Sequence, residues 1–133
     1  DKNIIETPSK IYGYDHIPRY VDYSKKNARI AGVDNQINFG LVKMDDIDMK
    51  FEEESIDKII TNPPISKSVN LGSTYNEFFY QAKYVLKKEG VIAIITKNPE
   101  FVKKHALRHD FILLKERDVW SGKQVLRMVF FKK

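Results

Sequence analysis

The chain contains no cysteine. This excludes disulfides, thiolate metal sites and a cysteine nucleophile, and it agrees with a reducing compartment, so a cytoplasmic location is expected. Histidine is scarce as well: His16, His105 and His109 are the only imidazoles. His105 and His109 stand four apart, within reach of one helix face, but no carboxylate pair is spaced with them, so no metal site is expected. No apolar run is long enough to cross a membrane, and no membrane partner is expected. Glycine occurs at six positions, none of them before Gly13. Internal repeats and low-complexity tracts are absent.

What is present suits a folded domain with a heavily charged surface: of 133 residues, 42% are apolar and 31% charged. A single domain of this length buries about two thirds of its unfolded surface. The net charge of +5 comes with the doublets Lys25-Lys26, Lys87-Lys88, Lys103-Lys104 and Lys132-Lys133. Such charge favours a polyanion through counterion release, although solvated lysines on helix surfaces are the plainer alternative.

One stretch organises the rest, Ile59-Ile60-Thr61-Asn62-Pro63-Pro64-Ile65. Its β-branched run reads as a buried strand, and the prolines stop it because neither can donate a ladder hydrogen bond. The chain leaves the sheet at Asn62, which puts a side-chain amide and φ-restricted carbonyls at the carboxyl end of a strand, where open α/β sheets bind ligands. That arrangement suits a planar amino group; simple strand termination is the bland alternative.

In chain order, Asp1–Glu6 reads as a helix tail or frayed end, broken by Thr7-Pro8-Ser9. Lys10–Asp15 is a short strand ending in a carboxylate. Pro18 suits the first turn of a helix with Asp15 or His16 near its cap, and Ile17, Tyr20, Val21, Ser24, Ala28 and Ala31 form one amphipathic face that Gly32 ends. Gln36–Val42 alternates as a strand, and the acidic cluster Asp45-Asp46-Ile47-Asp48 follows. After a loop or helical turn comes the central strand Ile56–Thr61.

Ser66–Gly72 reads as an exposed loop. Thr74 with Glu77 makes a capping box for a helix whose face is Tyr75, Phe78, Phe79, Ala82, Val85 and Leu86 and which Gly90 closes. Val91–Thr96 is another apolar strand, and Asn98-Pro99 opens a helix running to about His109. Phe111–Leu114 begins a last strand pair, turning at Trp120-Ser121-Gly122-Lys123 and returning over Val125–Phe131. This order predicts an open α/β fold, mostly parallel, with one antiparallel strand near its carboxyl-terminal edge.

Gly13-Tyr14-Asp15, Asn27-Ala28 with Ala31-Gly32-Val33, Ile37 and Phe39, Asp45, and Thr61-Asn62-Pro63-Pro64 together resemble the Rossmann-like, S-adenosylmethionine-dependent RNA methyltransferases. The nearest subgroup is the one joined to an RNA-binding THUMP domain, which methylates the guanine N2 amino group in tRNA or rRNA. The resemblance covers nearly the whole chain. It implies S-adenosyl-L-methionine as cofactor, RNA as partner, and a class I sheet of seven strands whose last strand inserts antiparallel between its carboxyl-terminal neighbours.

Each motif then has an implied role. Asp15, at the tip of its strand, would accept the ribose hydroxyls of the cofactor; helix capping is its alternative role. Tyr14 and His16 would flank the same pocket. Asp45 would accept from the adenine amino group, with Asp46 beside it, although Asp46 and Asp48 also read as solvated loop charges. The Asn62 side-chain oxygen and the Pro63 carbonyl would accept the two hydrogens of the target amine, and Pro64 and Ile65 complete the catalytic motif. The same geometry serves adenine or a protein glutamine amide.

Two features depart from that family. Its fourth motif position is aromatic, whereas Ile65 lacks the stacking contribution of ~1 to 3 kcal/mol per base, and Ser66, Lys67 and Ser68 replace the following glycine and arginine. Nothing between Asp1 and Lys10 resembles the first strand and its glycine-rich turn. Residues 1–133 are therefore expected to be one partial catalytic domain, lacking the first strand, or a noncatalytic RNA-binding or assembly module of the same fold. The strands ending at Asp15 and Asn62 would then close on each other, or an edge would be filled in a homodimer. By itself the chain is expected neither to bind S-adenosylmethionine with useful affinity nor to methylate RNA. Calorimetric titration of the 133 residues with the cofactor checks this, and tight stoichiometric binding would show that the glycine-rich turn is dispensable.

Overall fold

A computed structural model describes residues 9–63 and 70–133. The expectations for Asp1–Glu6, for Thr7 and Pro8, and for Ser66 to Val69 lie outside the described residues. Chain contacts divide the protein into two units, Asp1–Asp46 and Ile47–Lys133.

In the first unit, β1 (Ile11–Asp15) and β2 (Ile37–Leu41) pair in parallel, Ile11 opposite Ile37 and Asp15 opposite Leu41. The crossover between them is α1 (Pro18–Ala31), which has Pro18 in its first turn and ends at Gly32. It packs on both strands and buries Val21 and Ala28, members of the face read from the sequence. A 3-10 turn, Asp34–Gln36, leads into β2, and another, Met44–Asp46, follows it.

The second unit opens with the single turn α2 (Ile47–Lys50), followed by β3 (Ile56–Thr61), α3 (Leu71–Val85), β4 (Leu86–Thr96), α4 (Pro99–Arg108), β5 (Ile112–Ser121) and β6 (Gln124–Lys132). The sheet order is β3-β4-β6-β5. β3 and β4 are parallel, and β6 lies antiparallel between β4 and β5, as expected. Two crossover units, β1-α1-β2 and β3-α3-β4, set the parallel neighbours, and among the described residues β1 and β3 share no ladder. The expected closure of these two strands on each other is therefore corrected. β1 has β2 as ladder partner and β3 has β4, and each keeps one edge without a ladder partner among the described residues.

Three element ends differ by more than a residue from the sequence reading. α3 starts a turn before the Thr74 box: Asn70 is its cap, its side-chain oxygen accepting from the Ser73 N–H at 3.2 Å, while the Thr74 hydroxyl donates to the Asn70 carbonyl. α3 also stops at Val85 rather than at Gly90, because Leu86 pairs with Ile56. The register then slips, with Val91 opposite Lys58, and the intervening residues bulge at Gly90, where a β-carbon would stand 2.8 Å from the Lys87 carbonyl oxygen. The last hairpin turns on Gly122-Lys123 alone, since Trp120 and Ser121 remain paired in the ladder with Val125 and Gln124.

Helices α3 and α4 cover one face of the larger sheet. Phe79 is fully buried, its ring centroid 5.2 Å from that of Phe78, 5.5 Å from Phe111 and 5.8 Å from Phe131. Ile92, Ile94, Val129, Val102 and Ala106 complete this core. An ion pair ties α4 to the hairpin, Lys103 reaching Glu116 on β5 at 2.9 Å, and a second lies across the hairpin itself, Arg127 on β6 pairing with Asp118 on β5 at 3.2 Å.

Phe79→Ala is expected to destabilise the protein by about 3–5 kcal/mol, and Tyr80→Ala, at a side chain 62% exposed, by about 0.5 kcal/mol or less; urea unfolding measures both. A second expectation concerns pH. Burial holds the His109 imidazole below its ordinary value of 6.5, reinforced by Lys83 and His105 and opposed by Asp110. The fold thus accepts its neutral form, and this stability is lost as pH falls below 6.5, where the unfolded chain takes up the proton more readily. The urea midpoint should fall on acidification, and less so in His109→Gln.

Candidate active site

The first unit gathers its acidic candidates at one end of its sheet. Asp15 closes β1, and the Val42 N–H donates to the Asp15 carbonyl at 3.0 Å, carrying the pairing one residue past β2. The chain then turns through Met44–Asp46, so Asp15, Asp45 and Asp46 stand at the carboxyl ends of neighbouring parallel strands, the usual ligand end of such a sheet. Asp15 is half-buried. One carboxylate oxygen accepts from the Ile17 N–H at 2.9 Å, with His16 Nδ1 3.5 Å from the same oxygen. The helix-start role and a ligand role are therefore compatible: among the described residues Oδ2 has no hydrogen-bond partner and remains available to an incoming hydroxyl.

Tyr14 occupies the face of β1 opposite Asp15, because adjacent strand residues alternate. Its ring lies across Gly40 on β2, where an added β-carbon would meet the ring at 3.0 Å. The Tyr12 and Tyr14 rings make an edge contact at 6.1 Å. His16, beyond the strand, is exposed. Gly40 was missed by sequence reasoning. Its signal was a glycine inside an alternating strand pattern, which commonly marks a close approach.

The second unit holds the amine candidates. β3 ends with Thr61 opposite Ile94; Asn62 follows, exposed, and Pro63 is buried. Among the described residues the Asn62 amide makes no side-chain hydrogen bond. Pro64 and Ile65 lie outside the described residues. The neighbouring β4 ends in the same way, with Asn98-Pro99 opening α4.

Under that second asparagine-proline step lies a buried polar group not read from the sequence. The Thr96 hydroxyl accepts from the Asn98 N–H at 3.0 Å and hydrogen-bonds the Tyr75 hydroxyl, whose pKa burial raises and the Thr96 bond lowers. Phe101 and His105 pack beside Tyr75, with ring centroids at 5.7 and 6.2 Å, and His105 Nδ1 lies 2.9 Å from the Phe101 carbonyl oxygen. Among the described residues, no cluster of three or more His, Asp or Glu side chains is placed to hold a metal ion.

Comparison with known proteins agrees with this architecture. The family model described as RMKL-like, methyltransferase domain matches residues 2–125. The chain is 29% identical to the tRNA (guanine(6)-N2)-methyltransferase of Methanocaldococcus jannaschii, a match covering 97% of this chain and 35% of that protein. It superposes on the crystal structure of TrmN from Thermus thermophilus with a TM-score of 0.83 and 25% identity, over 96% of this chain and 37% of that one. A geranyl diphosphate C-methyltransferase from Streptomyces coelicolor A3(2), in complex with Mg2+, geranyl diphosphate and S-adenosyl-L-homocysteine, shares the fold alone, at 12% identity, a TM-score of 0.68, and coverage of 93% of this chain and 63% of that one. The chain spans about a third of the length of the first two relatives. The α/β methyltransferase architecture expected from the sequence is thus the one observed, and the chain belongs to the RMKL-like methyltransferase-domain family.

Proposed function

We propose that this chain is part of a single methyltransferase catalytic domain that uses S-adenosylmethionine to methylate an exocyclic amino group of a base in RNA, guanine N2 of tRNA being the substrate favoured by the M. jannaschii relative. The observation that carries the reading is Asn62-Pro63 at the carboxyl end of a parallel strand: an exposed amide with no side-chain partner among the described residues, followed by a buried proline that ends the ladder.

The cofactor half is assigned to Asp15, Tyr14, His16, Asp45 and Asp46. The unengaged oxygen of Asp15 fits a ribose hydroxyl, and a charged acceptor strengthens such a bond to about 1.5–3 kcal/mol. Bound there, S-adenosylmethionine supplies an electrophilic methyl group. On the amine side, the Asn62 oxygen and the Pro63 carbonyl each accept one N–H of the target, which fixes the direction of the nitrogen lone pair. Both acceptors also stabilise the positive charge that grows on nitrogen as the methyl arrives. The methylated nitrogen is strongly acidic and gives its proton to water, so the chemistry needs no poised histidine.

The test uses the full-length protein, unmodified tRNA transcripts and labelled S-adenosylmethionine, with nucleoside analysis for N2-methylguanosine. Asn62→Ala should lower kcat on the order of a hundredfold or more while cofactor affinity stays nearly intact, since its contact is made to the reacting amine. Asp15→Asn, which keeps an acceptor for the Ile17 N–H, should instead weaken cofactor binding about tenfold. Wild-type turnover in Asn62→Ala would remove this residue from the mechanism.

A further inference from the structure

Helix α1 carries four cations, Arg19, Lys25, Lys26 and Arg29, against the single carboxylate Asp22. None of the four forms an ion pair among the described residues. In the second unit Lys83, Lys87, Lys103, Arg127, Lys132 and Lys133 face carboxylates, whereas Lys88, Lys104, Arg108, Lys115 and Arg117, like the cations of α1, form no ion pair among the described residues. What distinguishes α1 is that its four cations share one helix with a single carboxylate, which leaves the helix net positive.

The same helix exposes aromatic surface. Tyr20 and Tyr23 are 41% and 55% exposed, with ring centroids 6.4 Å apart, and the Arg19 guanidinium lies 5.1 Å from the Tyr20 ring. On its other flank, Lys25 and Arg29, one turn apart, border an open cavity of about 300 Å³ completed by Asp34, Ile37, Asn38 and Phe39. This volume is at the lower end for a small-ligand site. The lining is mixed: cations for a phosphate, an aromatic and an aliphatic wall for a planar ring, and an amide and a carboxylate able to accept from amino or hydroxyl groups. None of the residues around the cavity or among the cations belongs to the candidate active site.

We propose that α1 and the cavity beside it form an RNA-docking surface, in which Lys25, Lys26 and Arg29 neutralise backbone phosphates and Tyr20 and Tyr23 present a stacking platform for an unpaired base. The proposal takes only the choice of polyanion from the functional reading. Charge complementarity argues for a nucleic-acid strand, and the cation-aromatic pairing favours unpaired nucleotides, whose exposed faces stack on tyrosine and arginine. An acidic protein would use the cations and leave the aromatic platform idle.

The test is fluorescence anisotropy of a labelled single-stranded RNA of about a dozen nucleotides against the full-length protein over a range of salt, with circular dichroism to confirm folding. Lys26→Gln with Arg29→Gln should lower the log–log salt slope by about 1.4, at about 0.7 per cation removed from a single-strand contact. The conservative pair Lys26→Arg with Arg29→Lys should restore it, and Lys87→Gln should leave it unchanged. Tyr20→Leu with Tyr23→Leu should weaken binding on the order of tenfold at an unaltered slope. An unchanged slope in the glutamine pair overturns the proposal, as does full affinity in the leucine pair or an equal loss for labelled polyglutamate. Methyl transfer to tRNA is followed in parallel. Absence of transfer with RNA binding still sensitive to α1 would defeat the functional reading and leave the docking surface standing, whereas transfer with binding insensitive to α1 would do the reverse.

Discussion

The candidate amine site depends on β3 stopping at Asn62, and it stops because Pro63 has no amide hydrogen with which to continue a ladder beside β4. A residue with an N–H at that position would let the strand run on and draw the asparagine amide into pairing geometry. Here Pro63 is buried and Asn62 exposed, so the backbone is anchored on one side of the step and the side chain is released on the other. β4 uses the same device at Asn98-Pro99, where the Thr96 hydroxyl takes up the Asn98 N–H. A backbone donor that has lost its strand partner is satisfied locally instead of being left to water.

The first unit meets a related demand with different means. Asp15 must end a strand, help start a helix and still offer an oxygen, and it does so by using one carboxylate oxygen for the Ile17 N–H. Gly40 makes room on the neighbouring strand for the Tyr14 ring, so the aromatic side chain lies flat on the sheet. Any side chain at position 40 would displace that ring, which ties a packing constraint to a residue of the candidate cofactor set.

Some cations find carboxylate partners only through folding. Lys103 bridges Glu100 and Glu116 and so fastens α4 to β5, while Arg127 holds Asp118 across the β5–β6 hairpin. The cations of α1 have no such partners among the described residues. From the sequence these two groups of lysines look alike, because partners such as Glu116 for Lys103 come from elements brought together only by folding.

What the sequence determined by itself was whatever rests on neighbours along the chain. The bounds of the strand Ile56–Thr61 were legible from its β-branched run and its prolines, but not its burial, since no residue of β3 is buried and Ile60 is 76% exposed, one edge of the strand having no ladder partner among the described residues; α1 was legible from Pro18, its apolar spacing and Gly32. The buried face of α3, from Tyr75 to Val85, followed from helical periodicity, and the antiparallel insertion of β6 from the family resemblance. Tertiary structure decided the rest. Leu86 joined β4 instead of α3 because Ile56 offers it a partner. Asn70 capped α3 although the Thr74 box stood ready, because the helix begins a turn earlier and Thr74 then spends its hydroxyl on the Asn70 carbonyl. Thr96 and Tyr75, separated by a helix end and a strand, meet only when β4 lies under α3. Local signals reach a few residues along the chain, whereas strand register, cross-strand glycine clearance and buried polar pairing are settled by residues far apart in sequence, whose identities no local pattern records.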